Sequence, residues 1–308
     1  MTSSGKWAAG IGLGLLALAI IFVALAVFGL SATLATLDTD VQEETSGTGV
    51  DRVALIELEG PIVDAQEIIR QLKKYRERAS VKAIVLRLDS PGGAVAPSQE
   101  IFDEVRRTRD LGKPVVVSMS SVAASGAYYI ACAASSIVAN PGTITGSIGV
   151  ISQFLNYSKL MDKVGLESTT IKSGQYKDAG NPARAMTAEE IAQMQRLIDD
   201  VYEQFVSDVA EGRNLPIDSV RTLADGRIYT GRQAYRAGLV DTLGTYETAI
   251  RIAGMLGKIE GKPKTVREQR RESVFERIMG ADAGRTLERV TERVASHTPL
   301  EYSLPLGR

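Results

Sequence analysis

A serine at a strand-to-helix corner is the residue in this chain whose surroundings best suit covalent chemistry. From Lys113 to Ser135 the sequence reads KPVVVSMSSVAASGAYYIACAAS. Val115, Val116 and Val117 form a β-branched run suited to a buried strand. Charge then disappears, side chains stay small through Ala127, and a helical stretch opens at Tyr128, Tyr129 and Ile130. A helix N-terminus presents unpaired backbone N–H groups and the positive end of the peptide dipoles, and both favour a developing anion. Ser125, just before Gly126, is the residue placed to use that corner as a nucleophile. The same stretch is equally compatible with a small-residue turn packed closely on a sheet.

A serine nucleophile needs a base, and here composition restricts the choice. The chain has one histidine, His297, in a charged segment near the C-terminus. A Ser-His-Asp triad would have to recruit it from there, and HExxH zinc chemistry lacks its parts. The G-x-S-x-G nucleophile elbow also fails, because Ala123 and Ala127 flank Ser125 where glycines belong. The one cysteine, Cys132, sits among apolar residues and reads as core; a single cysteine allows neither an intrachain disulfide nor a thiolate metal cluster. Acid–base work near neutral pH therefore falls to Lys, Asp, Glu or Tyr. A lysine can activate serine when burial without a carboxylate partner lowers its pKa from about 10.4 by roughly 3 units. Most lysines here lie in charged runs such as Lys73-Lys74. Lys177 lies instead in a glycine-bearing loop, SGQYKD, beside Tyr176, and is one candidate.

The elements that must position these residues follow from the hydrophobic pattern. A strand is expected over 53–58, a helix over 63–78 with Ile68, Leu72 and Tyr75 on one side, and a strand over 82–88 running into Asp89-Ser90-Pro91-Gly92-Gly93. A helix over 98–109 leads into the Val115 strand. This alternation implies an α/β fold with a parallel sheet, whose working site lies at the carboxyl ends of its strands. The corners at Gly92-Gly93 and Ser125-Gly126 both follow strand ends. Beyond them come short strands over 137–152, a further short strand over 168–172, and a capping box at Thr187 to Glu190. That box opens a long helix to about residue 212, with Ile191, Met194, Ile198, Val201, Phe205 and Val209 as its buried stripe. Shorter helices are expected over 230–237 and 245–256.

The 308 residues carry a net charge of −1, so no basic field favours nucleic acid. Residues 7–30 hold no charge and are long enough to span a bilayer as a helix. Lys6 before them and Asp38, Asp40, Glu43 and Glu44 after them place the N-terminus in the cytoplasm and the rest outside. The rival reading is a cleavable signal peptide. The expected organisation is a cytoplasmic stub and transmembrane anchor over 1–30, a flexible linker over 31–52, a catalytic domain over 53–257, and a charged tail over 258–308, helical or partly disordered.

Four segments then carry a specific resemblance: DSPGG at 89–93, SMSSVAASGAYYIACAA at 118–134, TGSIGV at 145–150 and IKSGQYKDAG at 171–180. In this order they resemble the signal peptide peptidase A family, membrane-anchored serine-lysine proteases whose fold is similar to the caseinolytic protease (ClpP) and crotonase superfamily. The resemblance covers residues 53–255. It implies a ClpP/crotonase-like repeated β-β-α superhelical fold with a mostly parallel sheet. It further implies Ser125 as nucleophile, Lys177 as general base, backbone N–H groups of Gly93 and Gly126 as the oxyanion hole, and Ser147 as the residue orienting the lysine. Implied substrates are apolar peptides such as cleaved signal peptides, with no metal or organic cofactor. Because family members often carry two similar halves and this chain carries one, a homo-oligomeric ring is expected to complete each site. Three alternatives stay open: a related protease acting on one membrane protein, a crotonase-like acyl-CoA enzyme, and an inactive scaffold.

Overall fold

The computed structural model describes residues 42–46, 50–269 and 301–303. The chain divides into two units, one of residues 1–44 with 268–293 and one of residues 45–267 with 294–308. The elements that build the site belong to the second, and the strands over 42–46 and 264–269 cross the division in the sequence. The anchor expected over 7–30 and most of the tail lie outside the described residues. Among the described residues no helix is long and apolar enough to cross a membrane.

After a short strand β1 (Gln42–Ser46), the order is β2 (Arg52–Glu59), α1 (Gln66–Glu77), β3 (Val81–Ser90), β4 (Gly92–Ala94), α2 (Val95–Asp110), β5 (Val115–Ala124) and α3 (Gly126–Cys132). There follow β6 (Ser136–Ala139), β7 (Ile144–Gly146), α4 (Ser158–Val164), α5 (Ala188–Arg213), α6 (Ile217–Leu223), β8 (Ile228–Thr230), α7 (Gly231–Arg236), β9 (Thr242–Leu243), α8 (Tyr246–Leu256), β10 (Lys264–Gln269) and β11 (Glu301–Ser303). The sheet runs β10-β2-β3-β5-β6-β9 with every neighbouring pair parallel. This is an α/β fold with a mostly parallel sheet, as the alternation of elements predicts.

Both faces of the sheet are covered, which explains why its strands read as continuous apolar runs. On one face Ala54, Ile56 and Leu58 of β2 join Ile84, Leu86 and Leu88 of β3 beneath α1, α2, α3 and α5. The alternate residues, Val53, Leu55, Ala83 and Val85, meet Ala249, Ile250 and Ala253 of α8 on the other face. Lys113 ties the α1 end to the sheet: its amine donates to the carbonyls of Tyr75, Arg76 and Arg78 at the helix C-terminus.

Three sequence expectations need correction. The Ser168–Lys172 strand is not formed; the segment is exposed and pairs with no strand among the described residues. The small residues after Val117 are not a turn, because β5 continues to Ala124, supported on both sides by β3 and β7. The α5 stripe is buried only in its second half, at Val201, Phe205, Val206 and Val209, whereas Ile191 is 54% exposed. Among the described residues, little covers Ile191 in the first half of α5. A fourth point adds to the sequence reading: residues 264–267, read as tail, pair in parallel with β2 at the sheet edge.

Candidate active site

The site is built where β5 changes partners. Val116 to Met119 pair with β6, but Val122 to Ala124 pair with β7. Between Met119 and Ala123 the ladder to β3 shifts register, so that Leu88 faces Met119 and Ser90 faces Ala123. The extra residues of β5 are held by side chains. Asp89 Oδ1 accepts from the Val122 N–H at 3.1 Å, and Thr143 and Thr145 hydroxyls donate to the Ser120 and Ala123 carbonyls at 2.7 Å. This bulge aims the end of β5 at the ends of β3 and β7.

Ser125 follows immediately. Its backbone is forced into φ 54°, ψ −117°, a region costly for any residue with a Cβ. It leaves the ladder with its N–H donating to the Gly146 carbonyl at 2.7 Å, and its own carbonyl accepts the first bond of α3, from the Tyr129 N–H at 2.8 Å. The Gly126 N–H, at the first position of α3, has no carbonyl four residues earlier in the helix to bond. The corner is locked from behind by an aromatic cluster in which Tyr129 packs on Phe102 and Phe205. Ser125 is 1% exposed, and its Oγ has no hydrogen-bond partner among the described residues. A buried hydroxyl without a partner costs free energy, so it marks a place where function outweighs stability.

Ser147 stands beside it by register. Ala124 pairs with Gly146, so Ser125 and Ser147 are the next residues on two parallel strands. Ser147 shares the positive backbone angle, at φ 52°, and its N–H donates to the Arg227 carbonyl at 2.9 Å. Gly146 is glycine for two reasons: φ is +79°, and a Cβ would lie 2.5 Å from the Tyr229 ring. A cleft of about 390 Å³ opens beside Ser147, lined also by Gly149, Ile198 and Tyr202.

The third corner is the Gly92-Gly93 turn. Gly92 (φ 101°) donates its N–H to Ser90 Oγ at 3.1 Å, and its carbonyl accepts from the Ile62 N–H. The Ala94 N–H donates to the Ile62 carbonyl at 2.7 Å. Successive strand residues point their peptide groups to opposite sides, so the Gly93 N–H and C=O face away from Ile62. A Cβ on Gly93 would lie 2.2 Å from the Ile62 carbonyl oxygen. The α3 helix packs against β4, bringing Gly126 and Gly93 into one neighbourhood.

Lys177 is placed differently. It lies in an excursion, residues 152–186, in which α4 buries none of its residues. Lys177 is exposed, as are Leu155 at 76% and Ile171 at 97%. The excursion is tied to α5 by a chain of charges: Lys172 and Arg184 both contact Asp178, and Arg184 also grips Glu190 through two hydrogen bonds of 2.6 and 2.8 Å. Arg184 and Lys172 hold the Asp178 carboxyl well below the usual range. Arg184, helped by the Thr187 N–H, holds Glu190 down to about 2. Sequence reasoning missed this clamp, although Asp178 adjoins Lys177. Cys132 is buried core as expected, its thiol pushed up to about 12 by burial. His297 lies outside the described residues.

With the geometry in place, the comparisons bear on identity. The family described as Peptidase family S49 matches residues 107–260. This chain belongs to peptidase family S49. The family described as Clp protease also matches, over residues 48–141, which agrees with the parallel sheet of this S49 chain. A Synechocystis sp. protein named as a protease, slr0021, is 45% identical over 211 residues, 68% of this chain and 76% of that one. An Enterococcus faecium protein named as a signal peptide peptidase SppA is 38% identical over 226 residues, 68% of this chain and 66% of its own length. The chloroplastic serine protease SPPA of Arabidopsis thaliana is 37% identical over 195 residues, only 29% of that longer protein. Members of the family are serine peptidases with a Ser-Lys dyad.

Proposed function

We propose that this S49 chain is a membrane-anchored endopeptidase whose Ser125–Lys177 dyad degrades apolar peptides such as cleaved signal peptides. The observation that carries the reading is the strained, buried and unpartnered Ser125 hydroxyl at the start of α3, beside Gly126 and the outward-facing N–H of Gly93. Gly93 suits the second oxyanion donor better than Gly92, whose N–H is taken by Ser90. In the proposed reaction Lys177 takes the Ser125 proton as Oγ attacks the peptide carbonyl. The oxyanion is held by the two backbone N–H groups, donors of a kind commonly worth about 3–4 kcal/mol. The amine leaves with a proton from Lys177. Water, activated by the same lysine, then hydrolyses the acyl-enzyme.

A lysine serves as base only where apolar cover strips water from its amine, and one copy of the chain provides little such cover around Lys177. We therefore place the dyad between copies: the 152–186 excursion, with its uncovered apolar residues, docks on a neighbour and delivers Lys177 towards that neighbour's Ser125. Ser147 and the cleft beside it leave room for the amine to arrive and a hydroxyl to hold it. Repetition around a closed ring completes every site. On this reading the chain carries the repeated β-β-α superhelical arrangement of the ClpP/crotonase superfamily. The segment over 7–30 anchors it in the cell membrane, with the catalytic domain outside the cytoplasm.

The test is hydrolysis of a fluorogenic apolar peptide by the full chain in detergent, beside Ser125→Ala and Lys177→Ala. Each substitution should cost at least about a thousandfold in kcat/KM with folding and assembly unchanged. Full activity in either variant would end the dyad assignment.

A further inference from the structure

A parallel sheet gathers the starts of its strands along one rim, opposite the strand ends that build the site. Here Lys264 faces Arg52, Arg52 faces Val81, and Ile84 faces Val115 along that rim. Two helices end on it as well. The Lys113 amine holds the end of α1, and Gly257, which closes α8, lies against Lys82. Cations crowd this rim: Arg52, Lys82, Lys113, Lys258, Lys262 and Lys264 all lie on it. Burial, then the charges of Lys82 and Arg76, pull the Lys113 amine down to about 8. Among the described residues the carboxylates there are fewer. Asp51 meets Lys82 at 3.5 Å and Asp110 pairs with Arg109, with Glu77 and Glu260 beside them. The rim also raises apolar side chains into solvent. Val50 before β2, Leu111 before β5 and Met255 at the end of α8 are each at least 65% exposed.

We propose that this rim is a docking surface for an anionic phospholipid bilayer: Val50, Leu111 and Met255 enter its headgroup layer while the surrounding lysines meet phosphates. Apolar groups set among cations suit such a surface, because burial at the acyl boundary and attraction to anionic lipid then act together. The order of the chain points the same way. Only residues 31–51 separate the uncharged run over 7–30 from β2, whose first residue, Arg52, is on this rim. The proposal rests on the anchored reading above and gives the anchored chain one orientation. From the rim, β5 runs 10 residues to Ala124, a rise of about 30 Å. Ser125 therefore stands clear of the bilayer, and a peptide must extend out of the membrane to be cut.

The experiment places the full chain in vesicles of phosphatidylcholine alone and of phosphatidylcholine with phosphatidylglycerol. Amide hydrogen exchange is followed over residues 109–113 and 255–262. Exchange there should be slower by about tenfold or more in the anionic vesicles, and about 0.5 M sodium chloride should remove the difference. Lys258→Glu with Lys262→Glu should abolish the lipid-dependent protection, and Leu111→Ser with Met255→Ser should weaken it. Both double variants should hydrolyse a soluble peptide as the parent does, since none of the four residues belongs to the site. Equal exchange in neutral and anionic vesicles would overturn the proposal and leave the anchor reading intact. Protection already present in neutral detergent, and rising with protein concentration, would give the face to a second copy and overturn it too. A chain that floats with anionic vesicles and not with neutral ones would sink the anchor reading and leave the rim contact standing. Association with neither would sink both.

Discussion

At the scale of single residues, this site is defined more by backbone than by side chains. Ser125 and Ser147 hold positive φ on adjacent strand ends, where a free choice would place glycine. Such strain persists only where surrounding structure overdetermines it, and here the β5 bulge, the Thr145 hydroxyl and the start of α3 do so. Gly93 shows the same logic by exclusion. In Gly93→Ala the new Cβ would meet the Ile62 carbonyl at 2.2 Å and nitrogen at 2.5 Å. The bridge that orients the Gly93 N–H must then open. Denaturant unfolding should show a loss of about 1–3 kcal/mol, with peptidase activity falling further than stability accounts for. Gly142→Ala, whose added Cβ meets nothing within 4 Å, should stay within about 0.5 kcal/mol of the parent. A stable, fully active Gly93→Ala would remove Gly93 from the oxyanion hole.

At the scale of elements, the 152–186 excursion is the part held by charge instead of burial. Its described polar anchor is Arg184, between Asp178 and the capping-box residue Glu190. Arg184→Gln should free the loop that carries Lys177 and lower kcat/KM by roughly tenfold to a hundredfold, with α5 and the sheet intact by circular dichroism. Acid should act in the same way. Glu190 titrates at about 2 in the folded chain and near 4.5 when unfolded. The unfolded form therefore binds more protons between these values, and the clamp's stabilisation, complete above about pH 4.5, is lost as pH falls towards 2. Hydrogen exchange in residues 172–186 should rise over that window in the parent. In Arg184→Gln it should already be raised at neutral pH and change little with acid. A variant whose exchange follows the parent's pH profile would show that the excursion is held by something else.

At the scale of the whole molecule, the contrast between a buried Ser125 and an exposed Lys177 makes assembly part of the mechanism proposed here. Ser125→Ala and Lys177→Ala chains, each inactive alone, should regain activity when dissociated, mixed and reassembled. Random mixing in a ring gives about a quarter of parental activity, because a working site then needs only one intact member from each of two neighbours. Mixtures no more active than the single variants would place the dyad within one copy.

Much of this was legible from the chain alone because the signals were local. Alternating small and β-branched runs specify a buried parallel sheet, Thr187 and Glu190 specify the start of α5, and a lone His297 directs attention to a Ser-Lys pair. The order of four short motifs identifies the family, and the comparisons agree. Tertiary structure decided what depends on partners distant in sequence. That β5 continues through its serines to Ala124, bulge included, depends on β3 and β7 lying on either side of it. That residues 168–172 are not a strand, and that Ile191 is uncovered, depends on how little of the described chain packs against them, which a hydrophobic pattern cannot convey. That Glu301–Ser303 meets Gly92–Ala94 was invisible in sequence for the same reason: backbone pairing uses groups that every residue but proline carries, so composition leaves no trace of it.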